Sequence, residues 1–319
     1  MSGPQVHRLT DGRLHLQHGP IDLIIDAEGA PGEIAAAFAQ AAGRFCTVLD
    51  ELVAELPLLR RGLDQDPPRP EGTIARCMVR ACARHRGVFI TPMAAVAGAV
   101  ADAVLGALAE GRTLTRAYVN NGGDIALLLE PGTVYDVGLV ADVRQGEIVA
   151  RARIDASQPV RGIATSGQGG RSLSLGIADA VTVLAADAAD ADAAATLIAN
   201  AVDVASPAVV RKPASMVRED SDLGDLPVVI AVGALSGDDI ARALDSGKAV
   251  AERMRATGLI EAAFLALRGR HRIVSRPLHC FAAAPTGEAE QRAAISPSSS
   301  DLCLTADLGP RHLTADLRP

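Results

Sequence analysis

The chain has 319 residues and a formal net charge of −7, and 49% of its residues are hydrophobic against 22% that are charged. This composition supports a sizeable core and excludes wholesale disorder. An acidic chain without clustered Lys, Arg and aromatic residues is not typical of nucleic-acid-binding proteins, so we expect no nucleic-acid partner. The five cysteines are scattered and form no CxxC pair, which favours reduced thiols over a disulfide framework or a structural zinc site.

Targeting and membrane signals are also weak. Residues 1–5 contain no basic region followed by an apolar stretch, which predicts no signal peptide. The most apolar stretch, residues 94–108, is short and carries Asp102, so we expect no membrane span. We therefore expect a cytoplasmic protein with a small-molecule ligand and no membrane partner, and we leave a homo-oligomer open.

Hydrophobic periodicity predicts strands and helices that alternate along the chain. A strand over 15–26 precedes a long amphipathic helix over 33–59, and a further helix is expected over 73–85. Thr91 followed by Pro92 predicts the cap and first residue of a helix that ends near residue 109. The later strands are expected at 114–119, 125–129, 137–143, 147–154, 160–165, 180–184, 228–232, 259–267 and 271–275, the later helices at 188–202 and 236–258, and a long loop at 205–227.

A glycine pair stands at the end of a predicted strand, in the run Tyr118-Val-Asn-Asn-Gly-Gly-Asp-Ile125. Two glycines there allow positive φ and a close approach of backbone amides to a ligand. The flanking Asn and Asp side chains can bond a heterocycle edge or a sugar hydroxyl. A Gly-Gly-Asp turn taken alone is more typical of a structural hairpin.

Two further runs follow in order. The first is Ile163-Ala-Thr-Ser-Gly167, and the second is a strand, Val181 to Ala185, followed by Asp192 and Thr196. Residues four apart lie on one helix face, so a carboxylate and a hydroxyl can be presented together. The alternative is that Asp192 is one of several solvated acids.

Together these runs resemble the ApbE (flavin transferase) superfamily, position for position in its Val-Asn-x-Gly-Gly-Asp-Ile motif and again in its Ala-Thr-Ser-Gly. A closer resemblance over residues 7–275 is to the UPF0280 family, through the segments 89–102, 120–125 and 171–179. The resemblance implies an α+β fold with T-fold-like mixed or antiparallel sheets packed with helices. The predicted elements agree with that architecture but do not by themselves derive it. We expect one domain over 1–283, with two closely packed lobes as an alternative, and a flexible tail over 284–319.

The resemblance also implies the site. Flavin, as FAD or FMN, and magnesium are the cofactors it implies. Asp192 and Thr196 would help to hold the metal. A glycine-rich loop is expected over residues 167–170. The ligand-binding positions that the resemblance and this loop predict are Thr91, Asn120, Asn121, Gly122, Gly123, Asp124, Thr165, Ser166, Gly167 and Arg171, and the candidate catalytic groups are Ser166, Ser172, Ser174 and Asp179.

Two departures from the superfamily limit the expected chemistry. Flavin transferases carry a His-Ile-Ile-Asp-Pro stretch after Ala-Thr-Ser-Gly, whereas this chain has a short run without histidine. They carry Lys-Gly in a helix where this chain has Ala97-Gly98. Acid–base help and charge neutralisation would both be missing, so we expect no FMN transfer. The functions left open are an enzyme of cofactor metabolism, a pterin-pathway enzyme by analogy of fold, and a binding protein without catalysis.

Overall fold

The computed structural model describes residues 3–63, 67–85, 87–141, 148–170 and 172–275, with the backbone of two short strands beyond them. The strands are β1 (Gln5–Arg8), β2 (Leu14–His18), β3 (Ile21–Gly29), β4 (Leu114–Asn121), β5 (Asp124–Leu129), β6 (Val134–Val140), β7 (Ile148–Asp155), β8 (Gly162–Ser166), β9 (Ala180–Ala185), β10 (Val209–Pro213), β11 (Pro227–Val232), β12 (Ala262–Leu267), β13 (Arg270–Val274), β14 (Phe281–Ala283) and β15 (Asp301–Cys303). The helices are α1 (Pro31–Ala54), α2 (Leu56–Leu59), α3 (Thr73–Ala83), α4 (Val96–Ala109), α5 (Ala188–Ala201), α6 (Ala214–Val217) and α7 (Gly237–Ala256), and a 3-10 turn (Pro92–Ala95) precedes α4.

The centre of the fold is an antiparallel sheet of nine strands in the order β1-β2-β3-β4-β5-β8-β9-β12-β13. Helices cover one of its faces. Helix α4 packs against α1, α3, α5 and the strands β4 and β5, and α5 packs against β8 and β9. The core on this side is built mainly from Ala, Val, Leu and Ile, whose small or branched side chains let helices and sheet approach closely.

The other face is covered by a second sheet, in the order β14-β7-β6-β15. The core between the two sheets contains Tyr118, Tyr135 and Phe264. The Tyr118 and Tyr135 rings meet edge to face, with centroids 6.1 Å apart. One strand pair, β15 with β6, is parallel, so the α+β class with mixed and antiparallel sheets is confirmed.

The structure corrects several predicted elements. The strand expected over 15–26 is the hairpin β2–β3, which turns at Gly19 with a φ of 58°. The helix expected over 33–59 is divided between α1 and α2, because Pro57 has no N–H to continue the hydrogen-bond ladder. The region expected to be a loop, 205–227, contains β10 and α6. Strand β1 was missed altogether.

The C-terminal part lies mostly outside the described residues. Strand β15 is an element of the expected tail and pairs with β6. Residues 142–143 of the strand expected over 137–143 lie outside the described part of the chain, as do residues 284–300 and 304–319. The division into a domain and a tail stays a prediction.

The segment Pro92–Ala109 is long and apolar enough, by length and composition alone, to cross a membrane. The expectation that it was too short and too polar was therefore wrong. Its packing against α1, α3, α5 and the sheet is nevertheless that of a core helix, and a single segment of this kind is weak evidence for a span.

Candidate functional site

Two helix starts meet between α4 and α5. At the start of α4, the backbone N–H groups of Ala97 and Gly98 donate to the Asp192 carboxylate, the latter at 3.0 Å. At the start of α5, Ala188 and Ala189 donate to Asp102 on α4, at 3.1 and 2.9 Å. Each helix therefore supplies the acid that satisfies the unpaired amides of the other.

This pairing needs an unusually close approach of the two helices. A Cβ on Gly98 would lie 2.2 Å from the carbonyl oxygen of Ala188. Such a contact is impossible without a backbone shift, so glycine is required here. This explains why Gly98 stands among the small residues of the α4 segment.

The glycine pair forms a two-residue turn between β4 and β5. Gly122 and Gly123 have φ values of 66° and 110°, a backbone conformation that favours glycine. Asn121 pairs with Asp124 across the turn, and Asn120 Oδ1 accepts the Gly123 N–H at 2.8 Å. The segment is therefore a structural hairpin, but its flanking side chains point to the rest of the site.

Both flanking side chains tie the hairpin to neighbouring elements. Asn121 is buried and donates to the Ala97 carbonyl at 3.1 Å, next to the start of α4. Asp124 Oδ1 accepts the Thr165 N–H at 3.2 Å, at the end of β8. Thr165 in turn shares a hydrogen bond of 2.9 Å with Thr182. The hairpin, the Ala-Thr-Ser-Gly run and the α4 start are thus brought to one place.

A cavity of about 510 Å³ opens beside these elements. We call it the large chamber. One wall is aliphatic and comes from α1, α2, β3, the 3-10 turn and α4. The other lining residues, which we call the polar wall, include most of the predicted binding residues. The aliphatic lining is Pro20, Ile21, Leu49, Leu52, Val53, Leu56, Leu59, Met93, Val96, Ala97 and Val100, and the polar wall contains Asn121, Gly122, Asp124, Thr165, Ser166, Gly167, Ser172, Ser174, Asp192, Thr196, Asn200, Arg60 and Arg218.

A second cavity of about 280 Å³, the small chamber, shares part of this lining. Asp124, Asp192 and Thr196 line both chambers. Residues 218 and 220–223, which follow α6, also line the small chamber. The two chambers therefore form one continuous site with the Asp192 face of α5 at their junction.

Thr91 lines the small chamber, but it does not cap the helix as expected. Its side chain makes no cap hydrogen bond, and its hydroxyl donates to the Asp222 carboxylate instead. The residue is only 3% exposed. Thr91 precedes the 3-10 turn, whose Ala94 N–H donates to the Thr91 carbonyl, while Asp192 accepts the later amides of Ala97 and Gly98.

Asp102 and Asp192, the two acids at the helix starts, are buried in surroundings that disfavour their ionised forms. Burial raises the pKa of Asp102 to about 7, and the amides of Ala189 and Ala188 counteract part of that shift. Burial likewise raises the pKa of Asp192 well above its usual value, against the hydrogen bonds from Gly98 and Ala97. Near neutral pH these carboxyls carry less negative charge than exposed acids would.

Ion pairs close the outer side of the α5 start. Arg80 from α3 pairs with Asp187 at 2.7 Å, and Arg84 pairs with Asp190, which is only 4% exposed. These two arginines therefore fasten α3 to the start of α5.

The structure brings most predicted site residues together. Asn120 and Gly123 contribute to the hairpin turn and do not line either chamber. Ser174 lines the large chamber, but its hydroxyl bonds the backbone of Gly176. Asp179 lines neither chamber, because its carboxylate accepts the N–H of Arg268 at the β12–β13 turn. Arg171 lies outside the described residues.

Oxygen-bearing side chains meet where the two chambers adjoin. Among the described residues, no group of three or more His, Cys, Asp or Glu side chains is arranged to hold a metal. Asp192, Thr196 and Asp124 nevertheless line the junction with hard oxygen atoms, the ligand type that magnesium prefers. A magnesium ion at this junction would need further ligands besides these residues.

Several lining residues were missed in the sequence. Arg60 and Arg218 had no motif to mark them, and Asp222 lies in the region expected to be a loop. The aliphatic wall was expected only as the buried face of a helix, since core and pocket leucines follow the same periodicity.

Comparison with known proteins identifies the family. A family model described as "AbpE bacteria" matches residues 6–273. A UPF0280 protein of Methanosphaerula palustris is 36% identical over 156 residues, which cover 48% of this chain and 63% of that protein, just under two thirds. A UPF0280 protein of Methanothrix thermoacetophila is 32% identical over 206 residues, which cover 61% of this chain and 77% of the relative.

Among solved structures, the flavin transferase ApbE from Vibrio cholerae is similar with a TM-score of 0.38 and 16% identity, covering 86% of this chain and 98% of that one. The match of the family model to most of the chain confirms the resemblance drawn from the three motifs. The chain belongs to the AbpE bacteria family and is a relative of the UPF0280 proteins.

Proposed function

We propose that this protein binds a flavin nucleotide, or a closely related nucleotide-like ligand, in the two-chamber site and acts in cytoplasmic cofactor metabolism. One observation carries the proposal. Three runs that are far apart in the sequence, represented by Asp124, Thr165 and Asp192, line a single cavity of about 510 Å³. Their convergence supports a ligand-binding role for the hairpin in addition to its structural one.

The two walls of the large chamber suit different parts of such a ligand. The aliphatic wall can cover a flat heterocycle, while Asp124 and the backbone of Gly122 and Gly167 can bond its polar edge. Ser166 and Ser172 add hydroxyls that line the same chamber. They are the candidate polar groups for any chemistry at the ligand.

Magnesium would be held at the junction of the chambers by Asp192 and Thr196. Bound there, the ion would neutralise phosphate charge. Asp192 is suited to this role because a cation would favour its ionised form, which burial disfavours.

The ligand can be identified directly. We expect protein purified without added flavin to absorb in the flavin bands, or to do so after incubation with FMN and gel filtration. Mass spectrometry of the ligand released by denaturation would name it. A protein that carries no ligand and takes up neither FMN nor FAD would contradict the proposal.

Transfer of FMN to a protein is not part of the proposed function. No histidine lines either chamber among the described residues, and Ala97 stands where flavin transferases carry lysine. Incubation with FAD, magnesium and a flavinylation acceptor should yield no covalent flavin on a denaturing gel, with a flavin transferase as positive control. Fluorescent acceptor bands would overturn this prediction.

The missing histidine also favours a second candidate function. A binding protein without catalysis would keep the hairpin and the aliphatic wall and would need no acid–base group. Such a protein should retain its ligand unchanged through prolonged incubation, whereas an enzyme should release a product that mass spectrometry distinguishes from the substrate.

A further inference from the structure

Arg60 occupies a special position in the site. It is the residue that ends α2, and it lines both chambers. Its guanidinium pairs with Asp220 at 3.1 Å, across a sequence separation of 160 residues. The side chains are 37% and 68% exposed, so the pair faces solvent at the edge of the small chamber.

Asp220 belongs to a segment that lines the small chamber. The segment joins β10 to β11 and also contains Asp222, whose carboxylate accepts a hydrogen bond from the Thr91 hydroxyl. Two carboxylates of this segment thus accept hydrogen bonds from the Arg60 guanidinium and the Thr91 hydroxyl, both of which belong to residues that line the site. Both of these groups are ordinary partners for a phosphate.

The balance of charges in the small chamber determines how much the Arg60–Asp220 ion pair affects the binding of an anion. Its lining has four carboxyl groups, Asp124, Asp192, Asp220 and Asp222, against two guanidinium groups, Arg60 and Arg218. An entering anion therefore meets an excess of acids. Displacing Asp220 from Arg60 would remove one repulsive contact and supply one attractive contact.

We propose that Arg60 is the residue that selects for an anionic group on the ligand, and that Asp220 occupies it until the ligand displaces that carboxylate. The proposal rests on the proposed function and assigns one residue, Arg60, to recognition of the phosphate of that ligand. An exposed ion pair is worth at most about 1 kcal/mol, so its loss is easily offset. A phosphate carries more charge than a carboxylate and can accept two hydrogen bonds from one guanidinium.

The test compares FMN with riboflavin, which has the same ring system and no phosphate. Asp220→Asn should tighten FMN binding about three- to fivefold and leave riboflavin unchanged. Arg60→Gln should weaken FMN binding about ten- to a hundredfold, with less than about a twofold effect on riboflavin. When Arg60→Gln is already present, adding Asp220→Asn should not change FMN binding further, because residue 220 then has no guanidinium to compete for.

The pair Arg272–Asp245 provides a matched control. It has a distance of 2.8 Å and exposures of 30% and 59%, and neither residue lines a chamber. Asp245→Asn should leave FMN and riboflavin binding unchanged. Thermal unfolding of each variant verifies that the fold is retained.

The proposal would be overturned if Asp220→Asn left FMN binding unchanged or weakened it, or if Arg60→Gln weakened both flavins equally. A parallel calorimetric titration with inorganic pyrophosphate separates this inference from the proposed function. If the wild type bound no flavin, the flavin proposal would fail. The anion site would then stand if Arg60→Gln weakened pyrophosphate binding and would fail if it did not.

Discussion

The starts of α4 and α5 use the same arrangement in different surroundings. Each start donates two backbone amides to an aspartate of the other helix, Asp192 or Asp102. The α5 start is covered by ion pairs from α3, whereas the α4 start opens to both chambers. A carboxylate at a helix start is therefore not evidence of a binding site in itself, and what it faces decides its role.

The largest expected effect comes from separating the two helices. Gly98→Ala would place a Cβ 2.2 Å from the Ala188 carbonyl, so the helices must move apart and both sets of amide contacts must weaken. We expect a loss of about 3 kcal/mol or more in the free energy of unfolding, measured by urea denaturation.

Gly106 on the same helix is the matched control. It is exposed, and a Cβ there would meet nothing within 4 Å. Gly106→Ala should stabilise the protein by about 0.5–1 kcal/mol through helix propensity. If Gly98→Ala were also neutral or stabilising, the close approach of α4 and α5 would be refuted.

The next largest effect is the pH dependence of stability that arises at the start of α5, where Asp102 accepts two backbone amides. The pKa of Asp102 is raised from 3.8 to about 7 in the folded state, so the folded protein holds its proton more tightly than the unfolded chain. The stabilisation from this group is complete below pH 3.8 and is lost as the pH rises through about 7.

Asp102→Asn should remove that dependence. Between pH 5 and 7, the unfolding free energy of the wild type relative to Asp102→Asn should fall by about 1.4 kcal/mol per pH unit at most. Urea denaturation in EDTA at several pH values measures this difference without interference from metal. Parallel curves for the two proteins would show that Asp102 ionises normally.

The smallest effect is that of magnesium on ligand binding at the start of α4, where Asp192 accepts the backbone amides. Magnesium should strengthen FMN binding to the wild type by severalfold, about 1 kcal/mol, and should bind weakly when FMN is absent. Asp192→Asn should abolish this enhancement, whereas Asp102→Asn should retain it because Asp102 does not line either chamber. If both variants responded like the wild type, Asp192 would have only a structural role at the α4 start.

Much of the site could be predicted from the sequence because its central parts are local. The hairpin of Gly122 and Gly123, the end of β8 at Thr165 and the helix face of Asp192 and Thr196 each depend on a few neighbouring residues. Periodicity also located most strands of the nine-stranded sheet, since each alternates or is continuously apolar over its own length.

The unpredicted parts depend on distant contacts. Thr91 followed by Pro92 is typical of a helix cap, but the Thr91 hydroxyl donates a hydrogen bond to the carboxylate of Asp222, 131 residues away. Arg60 and Asp220 lie 160 residues apart, and no local signal joins them. Strand β10 has only five residues and helix α6 only four, which is too short for periodicity to detect them.

The most direct test of the central claim is an FMN titration of the hairpin variants. Asp124 lines both chambers, while Asn120 bonds the same turn through Gly123 and lines neither. Fluorescence titration should show Asp124→Ala weakening FMN binding about ten- to a hundredfold, with less than about a threefold effect from Asn120→Ala. Overlapping isotherms for wild type and Asp124→Ala, or equal losses in both variants, would mean that the hairpin is a structural turn and that the ligand site lies elsewhere.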